Sequence, residues 1–246
     1  MRTFLRIIEI FIVALAYIII ITHIWGCVGE RVERMTFVPY QREVIPRIPH
    51  VEEKKTYRLN VDYISQYPEL PTGCEMTSLT MVLNYYGYDI EKEELVDEYM
   101  IYRDSEPTGF DGDPYSVDGG AMWPPALAAA ATNFMEDHND ERVGIDVSGA
   151  SLAELLHFIE DGVPVIVWVN GDFEPYIEYD GIQLWEEDRV YYSYWNEHCV
   201  VLIGFDEENV YIQNPQVGEE KINIKKFEEV YEICGKYAII INIKGE

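Results

Sequence analysis

Positive charge is what this 246-residue chain has least of: 18 Lys+Arg stand against 45 Asp+Glu, a formal net charge of −27. The shortage is uneven. Residues 1–58 hold nine of the basic and six of the acidic residues, which leaves nine basic and 39 acidic residues in 59–246. A body of that sign repels phosphate backbones and argues against nucleic acid as a partner. Cysteine is scarce as well. Cys27, Cys74, Cys199 and Cys234 form no C-x-x-C pair, so the spacing shows neither a zinc module nor a disulfide framework. Calcium meets a similar gap: Asp111 and Asp113, with Asp118 nearby, are spaced too closely, and no downstream Glu completes a helix–loop–helix site. No period of about 20–50 residues repeats, which sets solenoids aside. With 12 Pro and 17 Gly against 48% hydrophobic residues, most of the chain is globular rather than disordered.

What is present starts at the N-terminus. Arg2 and Arg6 precede an apolar run from Ile10 to Ile21, the layout of a membrane-targeting segment over residues 1–27. The basic flank places the N-terminus in the cytoplasm and everything after Cys27 outside. Ile24-Trp25-Gly26-Cys27 resembles a bacterial lipobox, which makes Cys27 a candidate for lipidation. Signal anchor, lipoprotein and secreted protein are all compatible with this segment, and all three export the rest of the chain. Residues 28–58 mix charges of both signs with Pro39, Pro46 and Pro49 and read as a linker. Residues 59–246 read as one domain. Its three cysteines are an odd number, so at least one is a free thiol unless it pairs between chains.

The domain changes character midway. Leu59 to Ser65 alternates like a short strand, and Glu75–Tyr86, Glu91–Ile101, Pro124–Phe134 and Ser151–Ile159 carry helical spacing. Pro124 suits a first helical position, and Ser151 with Glu154 forms a capping box. Val163–Val169 is a buried strand, and Val200–Phe205, Val210–Gln213, Lys221–Ile224 and Tyr237–Ile243 follow, with a short helix at Lys226–Ile233. Residues 103–120 and 170–194 read as long loops. Helices first and mostly antiparallel strands after predict an α+β fold, a helical N-terminal half against a C-terminal sheet.

Four residues carry chemistry in this frame. Cys74 follows a Pro-Thr-Gly turn and opens a helix, where the dipole and unpaired N–H groups favour a thiolate nucleophile. His198 stands at the mouth of a strand and can serve as its base; His23, His50, His138 and His157 lack such a setting. Asn214 ends the next strand and can orient the imidazole. Gln66, eight residues before Cys74, can join the Cys74 N–H in stabilising an oxyanion. Taken singly, each has a plain reading, as a structural cysteine, a core histidine, an Asn-Pro turn or a polar loop residue. Their order and local settings together point to thiol hydrolysis, with no metal and no cofactor. Asp113, Tyr115 and Trp195, in the loops around 109–120 and 185–195, are candidate substrate contacts, and the acidic residues there would suit cationic side chains.

Ser65-Gln66-Tyr67-Pro68, Thr72-Gly73-Cys74-Glu75, Glu197-His198-Cys199-Val200-Val201-Leu202-Ile203-Gly204 and Asn214-Pro215 resemble the bacteriocin-processing, double-glycine leader peptidases, family thirty-nine of the cysteine peptidases. The resemblance spans nearly all of residues 59–246. It implies a papain-like fold, Cys74 as nucleophile, His198 as general base and acid, Asn214 as orienter, Gln66 in the oxyanion hole, and a peptide or protein substrate. That family commonly has Asp-Pro where this chain has Asn214-Pro215, and papain-like enzymes generally use Asn there. Classical members are cytosolic domains fused to an export transporter; this chain looks more like a stand-alone, exported branch tethered to the bacterial cell membrane. Two other readings fit the same residues: a cell-wall peptide amidase or transferase with thiol chemistry, and an inactive, tethered peptide-binding module.

Overall fold

The computed structural model describes residues 56–103, 107–186 and 189–243. The targeting segment, Cys27 and most of the linker lie outside these residues. Among the described residues no helix is long and apolar enough to cross a membrane.

Among the described residues fourteen elements follow in chain order: β1 (Tyr57–Arg58), α1 (Cys74–Tyr85), α2 (Lys92–Tyr99), α3 (Pro124–Asp137), β2 (Arg142–Asp146), α4 (Leu152–Glu160), β3 (Val165–Asn170), β4 (Tyr179–Glu186), β5 (Arg189–Tyr194), β6 (Glu197–Phe205), β7 (Asn209–Asn214), β8 (Gly218–Asn223), α5 (Ile224–Ile233) and β9 (Ala238–Ile243). The main sheet runs β2-β9-β3-β6-β7-β8, with β1 added beside β6. Every pairing in it is antiparallel. All six residues of β3 are buried, so both faces of this central strand are covered. The α+β, papain-like class read from the sequence is the architecture found.

Local chemistry explains the elements. Pro124 occupies the first position of α3, where a missing N–H costs nothing. Ser151 caps α4 through the Glu154 N–H, and the Glu154 carboxylate reaches back to Ser151 N at 2.8 Å. The helix α1 is unusual in burying every residue from Cys74 to Leu83, two threonines, a serine and Glu75 among them. Its threonines hydrogen-bond back to carbonyls four residues earlier, Thr77 to Gly73 and Thr80 to Met76, both at 2.8 Å.

Four points of the sequence reading need correcting. The strand expected from Leu59 is confined to Tyr57–Arg58. Beyond it the Leu59 N–H still reaches the Ile203 carbonyl of β6 at 2.8 Å, but the Val61 carbonyl is taken by the Gln213 side chain at 2.7 Å. The region 170–194 is not a simple loop: β4 and β5 form a separate two-stranded hairpin with a register shift between Tyr179 and Gln183. A further strand, β2, pairs with β9 along the sheet's edge. The strand expected at Lys221–Ile224 begins earlier, at Gly218, and α5 takes over at Ile224.

Candidate active site

Cys74 is the first residue of α1. The chain reaches it through tight turns, in which Leu70 N–H bonds to Gln66 O at 2.8 Å and Gly73 N–H to Leu70 O at 3.1 Å. Gly73 lies against Leu70 so closely that a Cβ would stand 2.8 Å from the Leu70 Cβ, which disfavours any larger residue before the cysteine. The turn is braced from the other side. Thr72 Oγ1 donates to Ser116 O at 3.0 Å, and Gly119 crosses the Thr72 hydroxyl with no room for a side chain. At the first helical position the Cys74 N–H has no acceptor within its own helix and remains available to a ligand.

His198 is the second residue of β6, opposite Val169 of β3, and is 1% exposed. Asn214 is the last residue of the neighbouring β7. The antiparallel pairing brings His198 Nε2 within 2.8 Å of Asn214 Oδ1. The amide is locked in that orientation, because Asn214 Nδ2 donates to Glu220 at 2.6 Å and Oδ1 also accepts the Gln216 N–H at 3.0 Å. An oxygen facing the ring makes Nε2 the protonated nitrogen of a neutral imidazole, so Nδ1 carries the lone pair. Nδ1 is buried and has no partner among the described residues.

Cys74, His198 and Gln66 line one cleft of about 550 Å3. The Gln66 amide nitrogen donates to the Pro71 carbonyl at 2.9 Å and the Leu70 carbonyl at 3.3 Å, while its oxygen is buried without a partner among the described residues. Trp195, 79% exposed, stands at the rim. Asp113 and Tyr115 are not part of the cleft. The Asp113 carboxylate turns back on the Tyr115 N–H at 3.0 Å, and the Tyr115 hydroxyl donates to Asp97 at 2.7 Å. Their loop contributes Asp111, Asp118, Gly119 and Gly120 to the wall instead. Asp180 and Ile182 of the hairpin also line the cleft. No lysine or arginine lines it among the described residues.

The electrostatics reverse one expectation. A helix N-terminus should favour the thiolate, yet the Cys74 thiol is pushed well up, first by burial and then by Glu75, Glu197 and Cys199. The helix terminus is worth at most ~2 kcal/mol, whereas full burial moves such groups by up to about 3–5 pKa units. Burial also holds His198 neutral, lowering its pKa to about 4 against the support of Asn214. Both shifts favour the uncharged forms, thiol and neutral imidazole. Cys199 and Cys234 are also free and buried.

Two site residues escaped the sequence reading. Glu75 is 0% exposed; its Oε1 accepts the Met122 N–H at 2.5 Å and its Oε2 faces the Cys74 sulfur at 3.3 Å. Glu197 precedes His198 and approaches the same point. Cys74, Glu75 and Glu197 bring one potential ligating atom each within 4.8 Å of one another. Glu75 is hydrogen-bonded through both oxygens.

Comparison with known proteins identifies the chain's relatives. An uncharacterized protein of Bacillus subtilis, YvpB, is 31% identical over 183 residues, which cover 71% of this chain and 70% of that protein. A crystal structure of a Bacillus anthracis protein assigned as a C39-like peptidase shares 30% identity at a TM-score of 0.67, covering 78% of this chain and all of that one. A double-glycine motif protease from an AMS/PCAT transporter, solved with its leader peptide, is a more distant match at 21% identity and TM-score 0.45, covering 75% of this chain and 93% of that one. Residues 58–239 match the Peptidase_C39 like family, and the chain belongs to that family.

Proposed function

We propose that this protein is a membrane-tethered cysteine peptidase that works outside the cytoplasm through a Cys74–His198–Asn214 triad on peptides bearing cationic side chains. Family membership supports cysteine-peptidase function. The observation that carries the triad is the locked Asn214 amide, which leaves His198 Nδ1 bare and buried in the cleft that Cys74 lines. In the mechanism, Nδ1 takes the thiol proton as the sulfur attacks the peptide carbonyl carbon. The Cys74 N–H holds the developing oxyanion, and Gln66 joins it by exchanging one backbone carbonyl for the new anion. The imidazolium then gives its proton to the leaving amine. Water, deprotonated by the same nitrogen, hydrolyses the thioester and restores the thiol.

The cationic preference rests on Asp111, Asp118 and Asp180 in the cleft walls, with the exposed Trp195 ring at the rim. The tether rests on the apolar run Ile10–Ile21 behind Arg2 and Arg6.

The test is a peptide library digested by wild type, Cys74→Ala and His198→Ala, read by mass spectrometry, together with alkylation mapping. Cleavage by wild type alone, with Cys74 the residue alkylated first and more slowly in His198→Ala, is the expected result. Equal labelling of Cys199 or Cys234 and no cleavage would leave a binding module as the better account. Protease shaving of intact cells that removes the domain from the surface tests its placement.

A further inference from the structure

Two ladder pairs of the β4–β5 hairpin, Tyr179 with Tyr194 and Gln183 with Tyr192, enclose three residues of β4 but only Ser193 of β5. The surplus leaves the ladder as a β-bulge, a device that re-aims side chains beside active sites. Gly181 has a φ of +87°, in the left-handed region, and nothing lies within 4 Å of where its Cβ would stand, so backbone conformation and not space asks for glycine. The Asp180 carboxylate ties the bulge: Oδ1 accepts the Ile182 N–H at 2.8 Å and Oδ2 accepts the Ser193 hydroxyl at 2.6 Å. Asp180 and Ile182 both line the cleft that holds Cys74 and His198. The hairpin is also pinned to the body of the domain. The Tyr191 hydroxyl donates to Asp146 at 2.8 Å, the Tyr192 N–H to the Tyr237 hydroxyl at 2.9 Å, and the Tyr194 hydroxyl to the Val169 carbonyl at 3.1 Å. Ile182 is thus carried by a fixed wall.

Ile182 is 45% exposed and adds little to the core. Val117 of the loop wall is 78% exposed and lines the same cleft, as does Trp195 at the rim. A single exposed apolar side chain is ordinary, but three drawn into one cavity of a strongly acidic domain are a binding feature. From this geometry we infer that Ile182 is a specificity-determining residue: with Val117 it covers a bulky apolar side chain of the substrate, alongside the cationic one that the aspartates of the walls attract. The inference rests on the peptidase reading and adds a second feature to its substrate, an apolar residue within a few positions of the scissile bond. Asp180, Gly181 and Ser193 are positioning residues that act through Ile182. The bulge sets carboxylate and aliphatic side chain two residues apart on one wall, so that wall reads charge and shape together.

Cleavage profiles of a peptide library, read by mass spectrometry, test this on the full chain in detergent, with wild type, Ile182→Ser, Val117→Ser, Ser193→Ala and Ser193→Thr compared. Wild type should favour Leu, Ile or Phe over Ser at one position near the scissile bond. Ile182→Ser and Val117→Ser should each reduce that preference about tenfold, through KM rather than kcat, and lose far less on the peptide with Ser there. Ser193→Ala should weaken the preference in the same sense, and Ser193→Thr, which keeps the hydroxyl, should restore it; a merely structural contact would lower both peptides alike. No apolar preference in wild type, or an undiminished one in Ile182→Ser and Val117→Ser, overturns the inference. Val117 is exposed enough that its variant decides if Ile182→Ser does not fold. Cleavage of cationic peptides without regard to the apolar position defeats this inference alone. No cleavage of any peptide by wild type defeats the peptidase reading, and the inference falls with it.

Discussion

The side-chain oxygen of Asn214 lies 2.8 Å from His198 Nε2 and can face no other way, because the amide nitrogen on its far side is held by Glu220. That second contact fixes the tautomer of the histidine from outside the ring. Asn214→Ala should leave the fold intact and lower kcat/KM about 10²-fold, the usual scale for a mispositioned proton-transfer group. Asn214→Asp should remain active and move the acid limb of the pH–rate profile upward, since a carboxylate in contact with the ring raises a His198 pKa that now sits at about 4. An unmoved acid limb in Asn214→Asp would show that His198 does not set it.

Stability should respond to pH from both sides. His198 titrates near 6.5 in the unfolded chain and at about 4 in the folded one. Its contribution is full above the unfolded value and is lost as pH falls through that window, where only the unfolded chain binds the proton. Glu75 and Glu197 act with the opposite sign. Their raised pKa values mean that the folded chain holds protons the unfolded chain releases above 4.5, so stability declines as pH rises from there. Thermal melts should therefore show Glu197→Gln equal to wild type near pH 4.5 and more stable near pH 8. A constant difference across the range would count against raised carboxyls.

Charge in the cleft walls should appear in substrate choice. Replacing Asp111, Asp118 and Asp180 together by Asn is expected to lower kcat/KM about tenfold for a peptide with lysine or arginine near the scissile bond, and to change a neutral peptide little. Added salt should produce the same loss in wild type. Equal effects on both peptides would refute the cationic preference.

The brace behind Cys74 can be tested with one methyl group. Gly119→Ala places a Cβ on the Thr72 hydroxyl and the Asp113 carbonyl, so it should cost about 1–3 kcal/mol in denaturant unfolding and reduce activity as well. Gly171→Ala, with nothing within 4 Å of its Cβ, is the control and should stay within ~0.5 kcal/mol.

How much of this could be read beforehand depends on what each residue's periodicity reports. The helices and the central strands were legible because a capping box at Ser151, a proline at the start of α3 and an unbroken apolar run in β3 are local signals. The hairpin was not. Every residue of β4 except Leu184 is exposed or only half-buried, Tyr179, Ile182 and Trp185 among them, so no alternation marks it, and Gly181 reads as a turn. Strand β2 is half-buried at all five residues and equally silent. At the site, Cys74, His198, Gln66 and Asn214 stood out by residue type and local setting. Glu75 did not, because an acidic residue in a helix's first turn normally answers the dipole from the surface. Only the burial of α1 on all sides turns it inward, and that is a property of the assembled core. Asp113 and Tyr115 were misread for the converse reason: their loop reaches the cleft, but they are the residues that fold it back on itself.

The peptide groups on either side of Met122 are gripped in turn, its N–H by Glu75 at 2.5 Å and its carbonyl by the Trp168 indole at 2.9 Å. Loop wall, nucleophile helix and central sheet thereby meet in the backbone of a single residue. A substrate that pressed the wall outward would pull on that backbone and draw away the donor that steadies the Glu75 carboxylate, the group that touches the sulfur. Loosening either grip on Met122 would therefore reach the Cys74 sulfur through a single side chain, that of Glu75.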